Sequence, residues 1–153
     1  MQKVNGVEGV GGVSLLAHKR PYLFIGSVSK HNKGEGVECK MILDGSEPYF
    51  TGHFPGHPIL PGVFEVEAMF QAAEIFVALE VVALEDNTDE KSGGDIMLTK
   101  IVSAKFQKPI YPHGSFIVSV LLKKTDGNQM KFRGSIYNDT EKYAECTFVI
   151  NIL

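Results

Sequence analysis

From Val63 to about Leu84 the chain runs through Ala, Met, Phe, Leu, Val, Ile, Gln and Glu without a single glycine or proline. Such a run predicts one helix of about 20 residues, roughly 30 Å long. It is apolar nearly all the way round, which suits either the centre of a wrapped sheet or a membrane. Its own acids decide between them. Glu65, Glu67, Glu74 and Glu80 would each be costly in hydrocarbon, and no basic anchors flank the run. The expectation is a helix buried by the rest of the chain, with no transmembrane segment.

What buries it must be strands. YLFIGSV, Tyr22 to Val28, reads as a short strand, and after the turn-like KHNKGEG comes VECKMILD, where Val37, Cys39, Met41 and Leu43 alternate with polar residues. Four strand-like runs follow the helix: IMLTKIVSAKFQ, SFIVSVLLKKT, QMKFRGSIYN and KYAECTFVINI. The turn signals Asp126-Gly127-Asn128 and Asn138-Asp139 separate the last three. The economical architecture is an α+β domain, an antiparallel sheet curled around one long helix.

At 153 residues and 44% hydrophobic, the chain suits one domain with a sizeable core. The division is a flexible lead-in over residues 1–14, glycine-rich and unlike a secretory signal, and a single domain over 15–153. Glu85 to Gly94 reads as an exposed loop. A net charge of -3 excludes the broad basic field of a nucleic-acid binder. Cys39 and Cys146, far apart in alternating stretches, read as small buried residues, and a reducing cytoplasm is the expected compartment.

Ahead of the helix stands YFTGHFPGHPILPG. Pro55, Pro58 and Pro61 each fix a φ angle, and Gly52, Gly56 and Gly62 permit tight turns, so His53 lies in a stiff, non-helical loop. His53 and His57 have the spacing of a zinc pair, but Pro55 and Gly56 between them forbid the helix that would align them. No metal is expected. On the helix, Glu67, Gln71 and Glu74 are spaced by four and three and share one face. A carboxyl there is either a structural acid satisfied by Gln71, or an acid kept protonated near neutrality beside a histidine suited to act as a base. Spacing alone leaves both open.

GHFPGHPILPGVFEVEAMFQAAE resembles the active-site stretch of the FabZ-type 3-hydroxyacyl-(acyl carrier protein) dehydratases. HKRPYLFI and AKFQKPIYPHG look like the family's flanking segments, so the likeness runs from about Leu15 to the C-terminus. The resemblance implies a hot-dog fold and an active site formed where two subunits meet, in a homodimer or a trimer of dimers. It implies that His53 is the catalytic histidine and Glu67 the catalytic acid contributed by the partner chain. Backbone N–H groups of Gly62 and Val63 would stabilise the thioester oxygen, and Gln71 would orient Glu67. An acyl tunnel would draw its wall from Phe64, Met69, Phe70 and Ile101, each equally explicable as core. The implied partner is an acidic acyl carrier protein bearing a 3-hydroxyacyl-phosphopantetheine, met by Lys105 and Lys108; no cofactor is implied. Departures stand at His57, at Phe70 in place of a small residue, and in the length of the loop after the helix. A hot-dog thioesterase and a catalytically silent acyl-binding subunit are the rival readings.

Overall fold

The structure, a computed structural model, describes residues 13–84 and 95–153. Two strands, β1 (Ser27–Asn32) and β2 (Gly36–Leu43), precede helix α1 (Gly62–Leu84). Four follow it: β3 (Ile96–Phe106), β4 (Gly114–Asp126), β5 (Gln129–Tyr137) and β6 (Lys142–Ile152). Every neighbouring pair is antiparallel, in the spatial order β1-β2-β4-β5-β6-β3. Helix α1 touches β2 to β6, so the sheet curls around it as the residue pattern predicts.

The alternation in β2 does what a half-buried strand should: Val37, Cys39, Met41 and Leu43 are buried, while Lys40 and Ile42 are exposed. The middle of α1 is enclosed, with Ala68, Met69, Ala72, Ala73, Ile75 and Phe76 all at 0% exposure, because strands cover more than one side of it. Close approach needs a gap in the sheet, and Gly134 in β5 supplies it. A Cβ there would stand 2.7 Å from the Met69 sulfur. Cys39 and Cys146 are free and buried, as small apolar residues would be.

The β4–β5 hairpin turns at Gly127, with φ +58, and β5 joins β6 through Asn138, whose Oδ1 accepts from the Thr140 and Glu141 N–H groups. One expectation needs correction. Tyr22 to Val28 is not a strand throughout: β1 begins only at Ser27. Phe24 and Ile25 are buried, but the Phe24 N–H and the Tyr22 carbonyl are paired with the side chain of Gln71 instead of a neighbouring strand. An apolar run satisfied by a side-chain amide carries the composition of a strand without its ladder.

Val13–Leu15 forms a short 3-10 turn, with Val13 packed against the core. The rest of the expected lead-in, residues 1–12, and the loop from Glu85 to Gly94 lie outside the described residues. Among the described residues, no helix is long and apolar enough to cross a membrane.

Candidate active site

The loop before α1 is closed by its own backbone. Phe54 and His57 exchange N–H···O bonds of 3.0 and 2.9 Å around Pro55-Gly56, with Gly56 at φ +75, the conformation a proline-glycine turn requires. Ile59 N–H bonds back to the His53 carbonyl at 2.9 Å, and Leu60 N–H bonds to Ile110 at 2.8 Å, tying the loop to the segment after β3. The stiffness predicted from proline and glycine is therefore completed by hydrogen bonds. Inside it His53 is half-buried, stacked on Phe54 with ring centroids 4.1 Å apart. Its Nδ1 lies 3.0 Å from the Ile59 carbonyl. A carbonyl can only accept, so Nδ1 carries the proton and Nε2 is left with a lone pair. His57 is exposed.

Pro61 opens the helix. Phe64 and Glu65 N–H groups bond to the Pro61 carbonyl, whereas among the described residues no partner meets the N–H of Gly62 or Val63. Two donors at the positive end of the helix dipole thus remain free. Gly62 also admits the ring of Phe106, 3.1 Å from where a Cβ would sit.

One turn on, Glu67 meets a group of polar side chains. Gln71 Nε2 donates to Glu67 Oε1 at 3.1 Å and to the Tyr22 carbonyl at 2.8 Å, and Gln71 Oε1 accepts from Phe24 N–H at 2.9 Å. Gln71 is fully buried and its amide is saturated, so its orientation is fixed. The Tyr22 side chain lies beside Glu67, and His18 Nε2 stands 3.4 Å from Glu67 Oε1. Burial raises the Glu67 carboxyl above the ordinary carboxylate range, opposed by Gln71, His18 and Tyr22. His53 and Glu67 share no hydrogen bond or ion pair within the chain among the described residues.

The remaining candidates separate. Met69 and Phe70 are core, Phe64 belongs to an aromatic cluster with Tyr22, Phe24 and Tyr49, and Ile101 is 50% exposed on β3. A cavity of about 150 Å³ beside that cluster, lined by Arg20, Leu23, Phe24, Leu43, Tyr49 and others, includes none of the four. Lys105 is exposed on β3, and Lys108 is paired with Glu141. Sequence reasoning assigned no role to His18 or Tyr22. The signal lay in HKRPY, an imidazole and a phenol on a short proline-bent segment whose place against α1 no local pattern reveals.

The FabA-like domain family matches residues 16–147. The 3-hydroxyacyl-(acyl-carrier-protein) dehydratase FabZ of Granulibacter bethesdensis is 34% identical over 148 residues, 96% of this chain and 83% of that protein. The FabZ dehydratase of Klebsiella pneumoniae subsp. pneumoniae is 33% identical over 137 residues, 90% of this chain and 87% of that protein. Among solved structures, the dehydratase heterocomplex ApeI:P from Xenorhabdus doucetiae superposes with a TM-score of 0.75 at 17% identity, covering 92% of this chain and 89% of that one. A hypothetical thioesterase with coenzyme A from Streptococcus pneumoniae TIGR4 gives 0.61 at 11% identity, covering 82% and 84%. At such identities the two structures speak to the fold alone, which is the hot-dog arrangement.

Proposed function

The chain belongs to the FabA-like domain family, and from that membership and the geometry of its site we propose that it dehydrates (3R)-hydroxyacyl thioesters carried on acyl carrier protein. The product is the trans-2-enoyl thioester, as fatty-acid synthesis or a related acyl pathway requires. The observation that carries the reading is a matched pair of environments. His53 spends Nδ1 on the Ile59 carbonyl and keeps a basic Nε2, while burial favours the acid form of Glu67.

In this reading His53 Nε2 removes the proton from C2, and Glu67 gives its proton to the C3 hydroxyl, which leaves as water. Charge growing on the thioester oxygen meets the free N–H groups of Gly62 and Val63. Gln71 holds the Glu67 carboxyl in one orientation. The elimination breaks the C2–H and C3–O bonds, forms the C2–C3 double bond and transfers no electrons to or from an outside group, so proton transfer by side chains is enough for it.

We place the two halves of the site on different subunits. The two edges of the sheet support this. β1 is short and polar, whereas β3 is long and exposes Met97, Ile101, Val102 and Phe106, with Phe106 packed on Gly62 at the helix start. A second copy seated along β3 would cover this apolar edge and bring its Glu67 towards His53, in a homodimer or a trimer of dimers. Lys105, at the C-terminal end of β3, and Lys108, just beyond it, would stand beside the covered edge, where they would meet an acidic carrier protein. The buried free cysteines fit a cytoplasmic setting.

The test is enoyl formation from (3R)-hydroxyacyl carrier-protein thioesters of several chain lengths. Wild type should be active, and folded His53→Ala and Glu67→Gln should each lose activity. Mixing the two inactive variants should restore about one quarter of it, because half of the mixed dimers are heterodimers with one intact site of two. Hydrolysis of the thioester without enoyl formation would overturn the reading, and no recovery on mixing would remove the shared site.

A further inference from the structure

The face of α1 that carries Glu67 continues, two turns on, to Glu74, and both carboxyls meet one imidazole. His18 Nε2 is 3.4 Å from Glu67 Oε1, and His18 Nδ1 is 3.4 Å from Glu74 Oε2. The side chains of His18, Glu67 and Glu74 are 21%, 13% and 17% exposed. His18 Nδ1 and Glu74 Oε2 are themselves buried atoms, and among the described residues neither has a hydrogen-bond partner. Two buried polar atoms that face one another unpaired are costly unless a proton joins them. A torsional adjustment closing the gap to about 2.8 Å makes that bond, and catalytic hydrogen bonds are often loose before substrate arrives.

Among the described residues, few titratable groups face these three side chains. Tyr22 and His18 come from the segment before β1, Tyr22 beside Glu67, and α1 contributes Glu67 and Glu74. Among the described residues no lysine or arginine forms an ion pair with Glu74. Burial, helped by the Glu67 charge, pushes the Glu74 carboxyl up to about 8, so it carries a proton at neutral pH.

Given the dehydration proposed above, on which this inference rests, Glu67 ends each turnover one proton short while product still fills the site. We propose that Glu74 is a positioning residue that stores the replacement proton and passes it to Glu67 through His18. The bonds balance. The His18 Nε2–H bond breaks as an O–H bond forms on Glu67 Oε1, and the Glu74 O–H bond breaks as a bond to His18 Nδ1 forms. Glu67 is again an acid, Glu74 is a carboxylate, and His18 is the other neutral tautomer. A solvent proton taken at Nε2, with return of the Nδ1 proton to Glu74, restores the start. That solvent proton matches the one His53 releases from C2.

The experiment compares first-turnover and steady-state rates of enoyl formation for wild type, Glu74→Gln, Glu74→Asp and His18→Gln between about pH 6 and 9. A proton reserve leaves the first turnover unchanged, because Glu67 begins loaded, but lowers steady-state kcat on the order of tenfold in Glu74→Gln with KM little altered. His18→Gln should lose at least as much in steady state and, because His18 also borders Glu67, some first-turnover rate as well; the double variant should be no slower than His18→Gln, and Glu74→Asp should recover part of the rate. The wild-type advantage in kcat should shrink above about pH 8, where Glu74 gives up its proton. His18→Gln carries the same test from another segment if Glu74→Gln does not fold. Unchanged steady-state kcat in either variant overturns the proposal, as does a first turnover slowed as much as the later ones. A wild type that forms no enoyl thioester overturns both this proposal and the dehydratase reading, whereas an active wild type with an indifferent Glu74→Gln removes the proposal alone.

Discussion

Glu65 and Glu67 stand two residues apart on α1, and burial lifts both carboxyls above their ordinary range, yet their surroundings differ in kind. Glu65 is 3% exposed, its Oε2 has no partner among the described residues, and desolvation alone pushes it up to about 8. Glu67 is burdened by the same desolvation, but Gln71, His18 and Tyr22 surround it and pull it back down. The difference teaches that burial makes an acid reluctant to ionise, whereas neighbours able to stabilise the carboxylate let it give the proton up. A shifted carboxyl is therefore not yet a catalytic one.

The sharpest way to break this contrast is to neutralise each acid in turn. Glu67→Gln should lower enoyl formation by about 10³-fold, within the range of a lost general acid, while Glu65→Gln should stay within a few-fold of wild type. Equal losses in steady-state assays would show that burial alone had selected the acid. The second effect is on stability. Because the folded Glu65 pKa, about 8, lies above its unfolded value, the native state holds the extra proton in between. Stability is therefore full below about pH 4.5 and declines as pH rises towards 8, by a few kcal/mol for this group. Urea unfolding at fixed protein concentration should show a shallower decline for Glu65→Gln than for wild type; parallel curves would remove Glu65 as a cause.

Gln71 tests the other side of the contrast. Gln71→Leu keeps the volume but strands the Phe24 N–H and the Tyr22 carbonyl and frees Glu67 to rotate. The expected outcome is a loss of about 1–3 kcal/mol in stability and a fall in kcat of about 10- to 100-fold with KM little changed. A normal kcat in the folded variant would mean that Glu67 needs no orientation. The smallest effect should come from Lys105→Ala, which lies outside the comparison. It should raise KM for the carrier-protein substrate a few-fold, more at low salt than at high, and leave kcat alone; salt-independent kinetics would take Lys105 off the docking surface.

Much of this arrangement follows from local rules. Absence of glycine and proline between Val63 and Leu84 is enough for the helix, alternation through Val37, Cys39, Met41 and Leu43 for β2, and Asp126-Gly127-Asn128 for the hairpin turn. The spacing of Glu67, Gln71 and Glu74 places them on one face through the helical period alone, and the prolines and glycines around His53 imply the stiffness that the Ile59 and His57 hydrogen bonds complete. Such signals act over a few residues, where φ preference and side-chain period operate.

Tertiary structure decided the rest. Gln71 reaches Tyr22 and Phe24 across 49 and 47 residues, and His18 reaches Glu67 and Glu74 across a similar span, so the path of the chain determines these contacts and no period encodes them. The same path turned part of an apparent first strand into a segment satisfied by a side-chain amide, and left β3 at the sheet's edge though its composition differs little from that of its buried neighbours. Sequence by itself specified which groups the chain carries and on which face of each element they stand; the fold decided which of them meet, because proximity between distant residues is a property of the whole chain's packing.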